Sequence, residues 1–126
     1  MIVKDWKKYK NFSKEEFNCS HTGENLMQTE LVDKLQELRD LYGKPLRVTS
    51  GYRHPTHPIE RVKSAPGPHT TGLAVDLGVQ GADAYKVLAL ALQLGFTGIG
   101  VQQKGSGRFI HLDLIKSSLR PTVWSY

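Results

Sequence analysis

The sequence is short of several things. Its 126 residues include one cysteine, Cys19, which excludes an internal disulfide and any cysteine-rich structural zinc module. No stretch approaches the ~20 apolar residues that a membrane-spanning helix needs, so no membrane span is expected. The first ten residues are mixed polar and basic and lack the apolar centre of a secretory signal. Synthesis in the cytoplasm without a signal peptide is the expectation. There is no internal repeat and no low-complexity tract. Aromatic residues make up 9% of the chain and do not interleave with basic ones as in a nucleic-acid groove, so no nucleic-acid partner is expected.

What is present describes a globular chain. Hydrophobic residues at 39% and charged residues at 23% suit one core, and the length suits a single domain over residues 1–126. The net charge of +5 is unevenly placed. Residues 44–63 carry five cations against one acid, and residues 101–126 carry four against one. Such blocks suit an anionic polymer or surface, a bacterial cell wall among them.

Local patterns predict the elements. Ser13 and Glu16 form a capping-box pattern that starts a short helical turn. Leu31, Leu35, Leu38 and Leu41 recur at helical spacing over residues 29–42, with Gly43 as cap and Pro45 as stop. Residues 46–50 and 73–77 read as strands. Between them, residues 51–72 hold four of the six prolines and read as a functional loop. Residues 82–94 are apolar almost all round and predict a buried helix, with Tyr85, Leu88 and Leu92 on one face. Residues 97–102 and 108–115 read as two strands joined by Gly105-Ser106-Gly107. Helices and strands do not alternate regularly, which points to an α+β fold with a small, mostly antiparallel sheet and flanking helices.

Histidines and carboxylates supply the chemistry. His69 lies just before the 73–77 strand and Asp76 within it, with Gly72 allowing a tight turn between them. A carboxylate between Val75 and Leu77 needs a charge partner if buried. On the last strand His111 and Asp113 share a face with Phe109, while Ile110, Leu112 and Leu114 face the core. Two histidines and one carboxylate leave one position open on a tetrahedral zinc ion, the composition of a catalytic site.

Four motifs occur in order: Ser50-Gly51-Tyr52-Arg53, then His69-x-x-Gly72-x-Ala74-x-Asp76, then Gly98-Ile99-Gly100, then Phe109-Ile110-His111-Leu112-Asp113. Phe12-Ser13-x-x-Glu16-Phe17 and Leu38-Arg39-Asp40 precede them, and Arg120 and Trp124 follow. Together they resemble the zinc peptidase family of D-alanyl-D-alanine carboxypeptidases and L-alanyl-D-glutamate endopeptidases (peptidase family M15), whose hedgehog/DD-peptidase fold is shared with the hedgehog signalling domain. The resemblance implies a Zn2+ ion held by His69, Asp76 and His111. It implies Arg53 as the arginine that binds substrate and steadies developing negative charge. Asp113 is the candidate general base, with orientation of a ligand or binding of the metal itself as its alternative role. Tyr52 and His54 are candidate substrate-binding residues beside Arg53, whereas Trp124 and Tyr126 read as packing residues.

Two positions depart from the family pattern. Gly67 stands where many members have a serine, and Arg108 stands where several subfamilies have an acidic base. The implied activity is zinc-dependent hydrolysis of peptidoglycan stem peptides by a monomer acting at the bacterial wall, as a phage endolysin would. The alternative is a catalytically inactive, zinc-bearing wall-binding or virion module.

Overall fold

Leu31, Leu35 and Leu38, with Val32 and Tyr42, form the buried stripe of helix α1, Thr29–Tyr42, in a computed structural model that describes residues 1–126. Gly43 ends the helix in the left-handed region at φ 77°, and its N–H returns to the Arg39 carbonyl at 3.0 Å. The capping box at Ser13 opens a 3-10 turn, Lys14–Phe17, and Phe17 enters the core.

Five strands make one sheet: β1 Val48–Ser50, β2 Ala74–Leu77, β3 Gly98–Gln102, β4 Phe109–Asp113 and β5 Thr122–Ser125. Their order is β1-β2-β4-β3-β5, and all neighbours are antiparallel except β3 and β5. The α+β class and the mostly antiparallel sheet agree with the sequence pattern. Strand β5 does not follow from that pattern, because its partner β3 lies some twenty residues upstream.

Helix α3, Gly81–Leu94, packs on α1 and against β4. Here the sequence expectation needs correction. Tyr85 and Leu92 are exposed, and the buried stripe is Ala84, Val87 and Ala91. Leu88, Leu90 and Leu94 pack half-buried at the margins of that stripe, and of the large apolar residues only Tyr85 and Leu92 are left outside. The 51–72 loop is ordered by a short helix α2, Pro58–Arg61, and a 3-10 turn, Pro68–Thr71.

The sheet separates two environments. Val75, Leu77, Ile99, Ile110 and Leu112 turn into one hydrophobic cluster with the helices. The intervening residues turn the other way, as the two-residue period of a strand requires. On that second face Ser50, Asp76, His111, Gly100 and Trp124 stand opposite one another, one from each strand.

Candidate metal centre

His69 is placed by backbone contacts on both sides. Its Nδ1 meets the Gly51 carbonyl at 2.8 Å, and its own carbonyl accepts the Arg53 N–H at 3.1 Å. Gly72, at φ 75°, closes the turn; a Cβ there would strike the Leu26 carbonyl, and the Gly72 carbonyl accepts the Gln28 N–H at 2.9 Å. The chain must pass so close to residue 26 that only glycine fits.

Asp76 receives both histidines on one oxygen. Its Oδ1 lies 3.2 Å from His69 Nε2 and 2.9 Å from His111 Nδ1. The imidazole rings sit 5.1 Å apart, edge to face. Behind His111, its Nε2 meets Asp113 Oδ2 at 2.8 Å. Arg120 forks onto the same carboxylate, Nε to Oδ1 at 3.1 Å and Nη2 to Oδ2 at 2.9 Å. Gly98 pairs with Asp113 across the sheet, and a Cβ at Gly98 would fall on the carboxylate.

These contacts fix the tautomers. The Gly51 carbonyl can only accept, so His69 carries its proton on Nδ1. Burial pushes the Asp113 carboxyl up, but hydrogen bonds from His111 and Arg120 outweigh it and hold it at about 2. Ionised Asp113 can only accept as well, so His111 carries its proton on Nε2. In the neutral rings, two imidazole lone pairs then face one carboxylate oxygen, with the ligand atoms all within 4.8 Å of one another. Such a convergence requires protons or a cation at its centre. Two nitrogens and one oxygen suit a zinc-type ion with an open position, so the residues fit the metal. Without a metal the site must recruit protons. Burial alone would lower His111, but Asp113 and Asp76 raise it above its ordinary value. Burial likewise opposes ionisation of Asp76, yet His111 and His69 hold it well below the usual carboxylate range.

The three residues form the floor of a cleft of about 440 Å³. Arg53, Ile59, Lys63 and Pro68 line one side, and Phe109, Trp124 and Tyr126 the other. Arg53 lies 3.8 Å from Asp76, Nη2 to Oδ2, and donates from Nη1 to Glu60 at 2.8 Å. Trp124 packs against His111 with ring centroids 5.2 Å apart, and Tyr126 against Phe109 at 5.1 Å. Burial raises the Tyr126 phenol, which therefore stays protonated at neutral pH. A Cβ at Gly100 would lie 2.6 Å from Trp124 Nε1, so the aromatic wall needs that glycine.

The structure thus brings His69, Asp76, His111 and Arg53 together and leaves three expected residues outside the cleft. Tyr52 is buried in the core, drawn there by its N–H bond to the Phe17 carbonyl at 2.9 Å and by the close approach of Gly51 to Phe17. His54 turns away to Thr56, 2.8 Å from its Nδ1, and to Glu24. Asp113 is fully buried behind His111 with its oxygens occupied, a poor position for a general base and a good one for orienting a ligand. Trp124 and Tyr126, read as packing residues, line the cleft. The glycines at 98 and 100, alternating on one face of β3, were the available sign of a close neighbour there. Glu60, buried in α2, escaped the sequence reading because a lone glutamate in a proline-rich loop carries no local signal.

The family described as Peptidase M15 matches residues 10–113 of the chain. No curated protein matches it.

Proposed function

The chain belongs to the Peptidase M15 family, which implies a metallopeptidase, and on that premise we propose that it hydrolyses peptide bonds in the stem peptides of bacterial peptidoglycan. The reaction is that of a D,D-carboxypeptidase or an endopeptidase, and His69, Asp76, His111 and Arg53 are its working residues. The observation that carries this reading is the meeting of two imidazole lone pairs and one carboxylate oxygen on a cleft floor beside a guanidinium.

His69 Nε2, Asp76 Oδ1 and His111 Nδ1 would hold the ion. When bound, a zinc ion there supplies Lewis acidity and lowers the pKa of a coordinated water toward ~7. The protein's own share is preorganisation. Gly51 and Asp113 hold the two imidazoles in their ligating tautomers, and Arg120 holds Asp113. Arg53 presents a fixed guanidinium where negative charge develops on the substrate carbonyl. Asp113 reaches the reaction only through His111. Proton transfer therefore falls to groups that reach the cleft, and Asp76 is the only carboxylate among its lining residues.

The basic blocks of the chain suit binding to anionic wall polymer, as in a lytic enzyme of a phage. The shortage of free carboxylates in the cleft also favours one rival, a metal-bearing wall-binding module without turnover. Digestion of purified peptidoglycan with and without a chelator, read by mass spectrometry, separates the two. The hydrolase releases peptides or terminal D-alanine in a chelator-sensitive way. No new product from folded, zinc-loaded protein across several wall types leaves the binding module.

A further inference from the structure

The side of the cleft formed by the 51–72 loop carries two charges beside Arg53, on Glu60 and Lys63, that the proposed reaction does not use. Glu60 is 3% exposed and gathers three donors: Arg53 Nη1 at 2.8 Å, the Gly67 N–H at 2.9 Å and Lys63 Nζ at 3.1 and 3.2 Å from its two oxygens. Burial opposes its ionisation, but these donors outweigh that and keep it charged at neutral pH. Arg53 spends two of its five N–H donors within the wall, Nη1 on Glu60 and Nη2 on Ser50 at 3.2 Å, with Asp76 nearby. Lys63 is differently placed. Two of its three ammonium protons are accounted for by Glu60, and no other protein acceptor meets it. Its side chain is 39% exposed and lines the cleft.

Gly67 explains why the lysine can sit there. A Cβ at residue 67 would lie 2.7 Å from Lys63 Nζ and 3.0 Å from Glu60 Oε1. The ammonium occupies the space of a missing side chain. Arg53, Glu60 and Lys63 together carry one net positive charge, on a wall facing the Asp76 and histidine floor.

We propose that Lys63 is a specificity-determining residue: it gives the cleft a second cationic donor, which selects stem peptides bearing a free carboxylate beside the one Arg53 can take. The inference rests on the peptidoglycan reading and narrows it to acidic rather than amidated stem peptides. Arg53 is preorganised by Glu60, whereas Lys63 keeps a donor for the ligand.

The test is calorimetric binding to the zinc-loaded protein. The probes are four synthetic stem pentapeptides ending in D-alanyl-D-alanine, with the terminal carboxylate and the glutamyl carboxylate each either free or amidated. Wild type should prefer the acid over the amide by about tenfold at one of the two positions, as a charge-assisted contact implies. Lys63→Met should reduce that preference to less than about twofold by weakening binding of the acid more than binding of the matching amide, and Lys63→Arg should largely restore it. Gly67→Ser, which crowds the ammonium, should lower the same preference. Equal weakening toward acid and amide in Lys63→Met, or an undiminished preference, overturns the assignment and leaves Lys63 a structural partner of Glu60. Failure of wild type to bind any of the four overturns it too. Absence of cleavage with the discrimination intact overturns only hydrolysis.

Discussion

The two faces of strand β4 are built on different terms. On one side Ile110 and Leu112 pack into the hydrophobic cluster, where shape and volume decide the fit. On the other, His111 and Asp113 are equally buried, but each polar atom has a named partner. No buried side-chain polar atom of the protein lacks one. The apolar face can lose a methyl group and partly collapse. The polar face admits one arrangement of protons, and a single missing partner leaves a buried charge exposed to its neighbours. The first face maintains the fold, and the second converts it into a site.

Substitutions on the two faces should therefore fail differently. The largest effect is expected for His111→Ala, which removes one of the proposed ligands: bound zinc should fall from about one ion per chain to near none, as elemental analysis would show, and chelator-sensitive cleavage should go with it. Leu112→Ala, one residue along and on the other face, should cost about 2–5 kcal/mol in a denaturation midpoint experiment while the folded fraction still binds metal. Asp113→Asn keeps the shape but loses the charge that fixes the His111 tautomer; zinc affinity should fall about 10- to 100-fold by competition with a chromogenic chelator. A Tyr85→Ser change on the outer face of α3 should shift stability by no more than about 0.5 kcal/mol, since that ring is exposed.

Acidity sharpens the same contrast. His111 is held above its ordinary value in the metal-free protein, so the protonated ring stabilises the fold. That contribution is complete below the ordinary histidine value and is lost as pH rises through the raised one. Thermal melts of metal-free protein should therefore fall as pH rises above the ordinary histidine range, where melts of zinc-loaded protein should rise or hold as ligand protons cease to compete. In the metal-free protein Asp113 and Glu60 are held down at about 2, so their contribution is present above the ordinary carboxylate range and disappears as pH falls toward 2.

What the sequence revealed depended on how local the cause was. The bounds of helix α1 are legible because leucine spacing, Gly43 and Pro45 act within a few positions, although Leu41, expected in the stripe, is exposed and Tyr42 is buried in its stead. The parity of β4 was legible for the same reason, and it separated His111 from Ile110 before any tertiary contact was known. Helix α3 is legible as an element but its inward face is not, since its apolar residues surround it and only packing on α1 selects Ala84, Val87 and Ala91. Strand β5 is parallel to β3, and such pairing leaves no short-range pattern, so the aromatic wall of Trp124 and Tyr126 stayed hidden. Tyr52 and Asp113 were placed in the right neighbourhood, but which way each turns depends on Phe17 and Arg120, far from them in the chain or in motif.

The most direct test of the account is a calorimetric titration of zinc into chelator-stripped wild type and into Asp76→Asn, both shown to be folded. Asp76 joins the two histidines on one oxygen and is the only anionic ligand in the proposed set. Wild type should show one saturable site, with proton release that grows as the pH is lowered, and the variant should lose that site. Unchanged binding by Asp76→Asn, or no saturable binding by folded wild type, would contradict it.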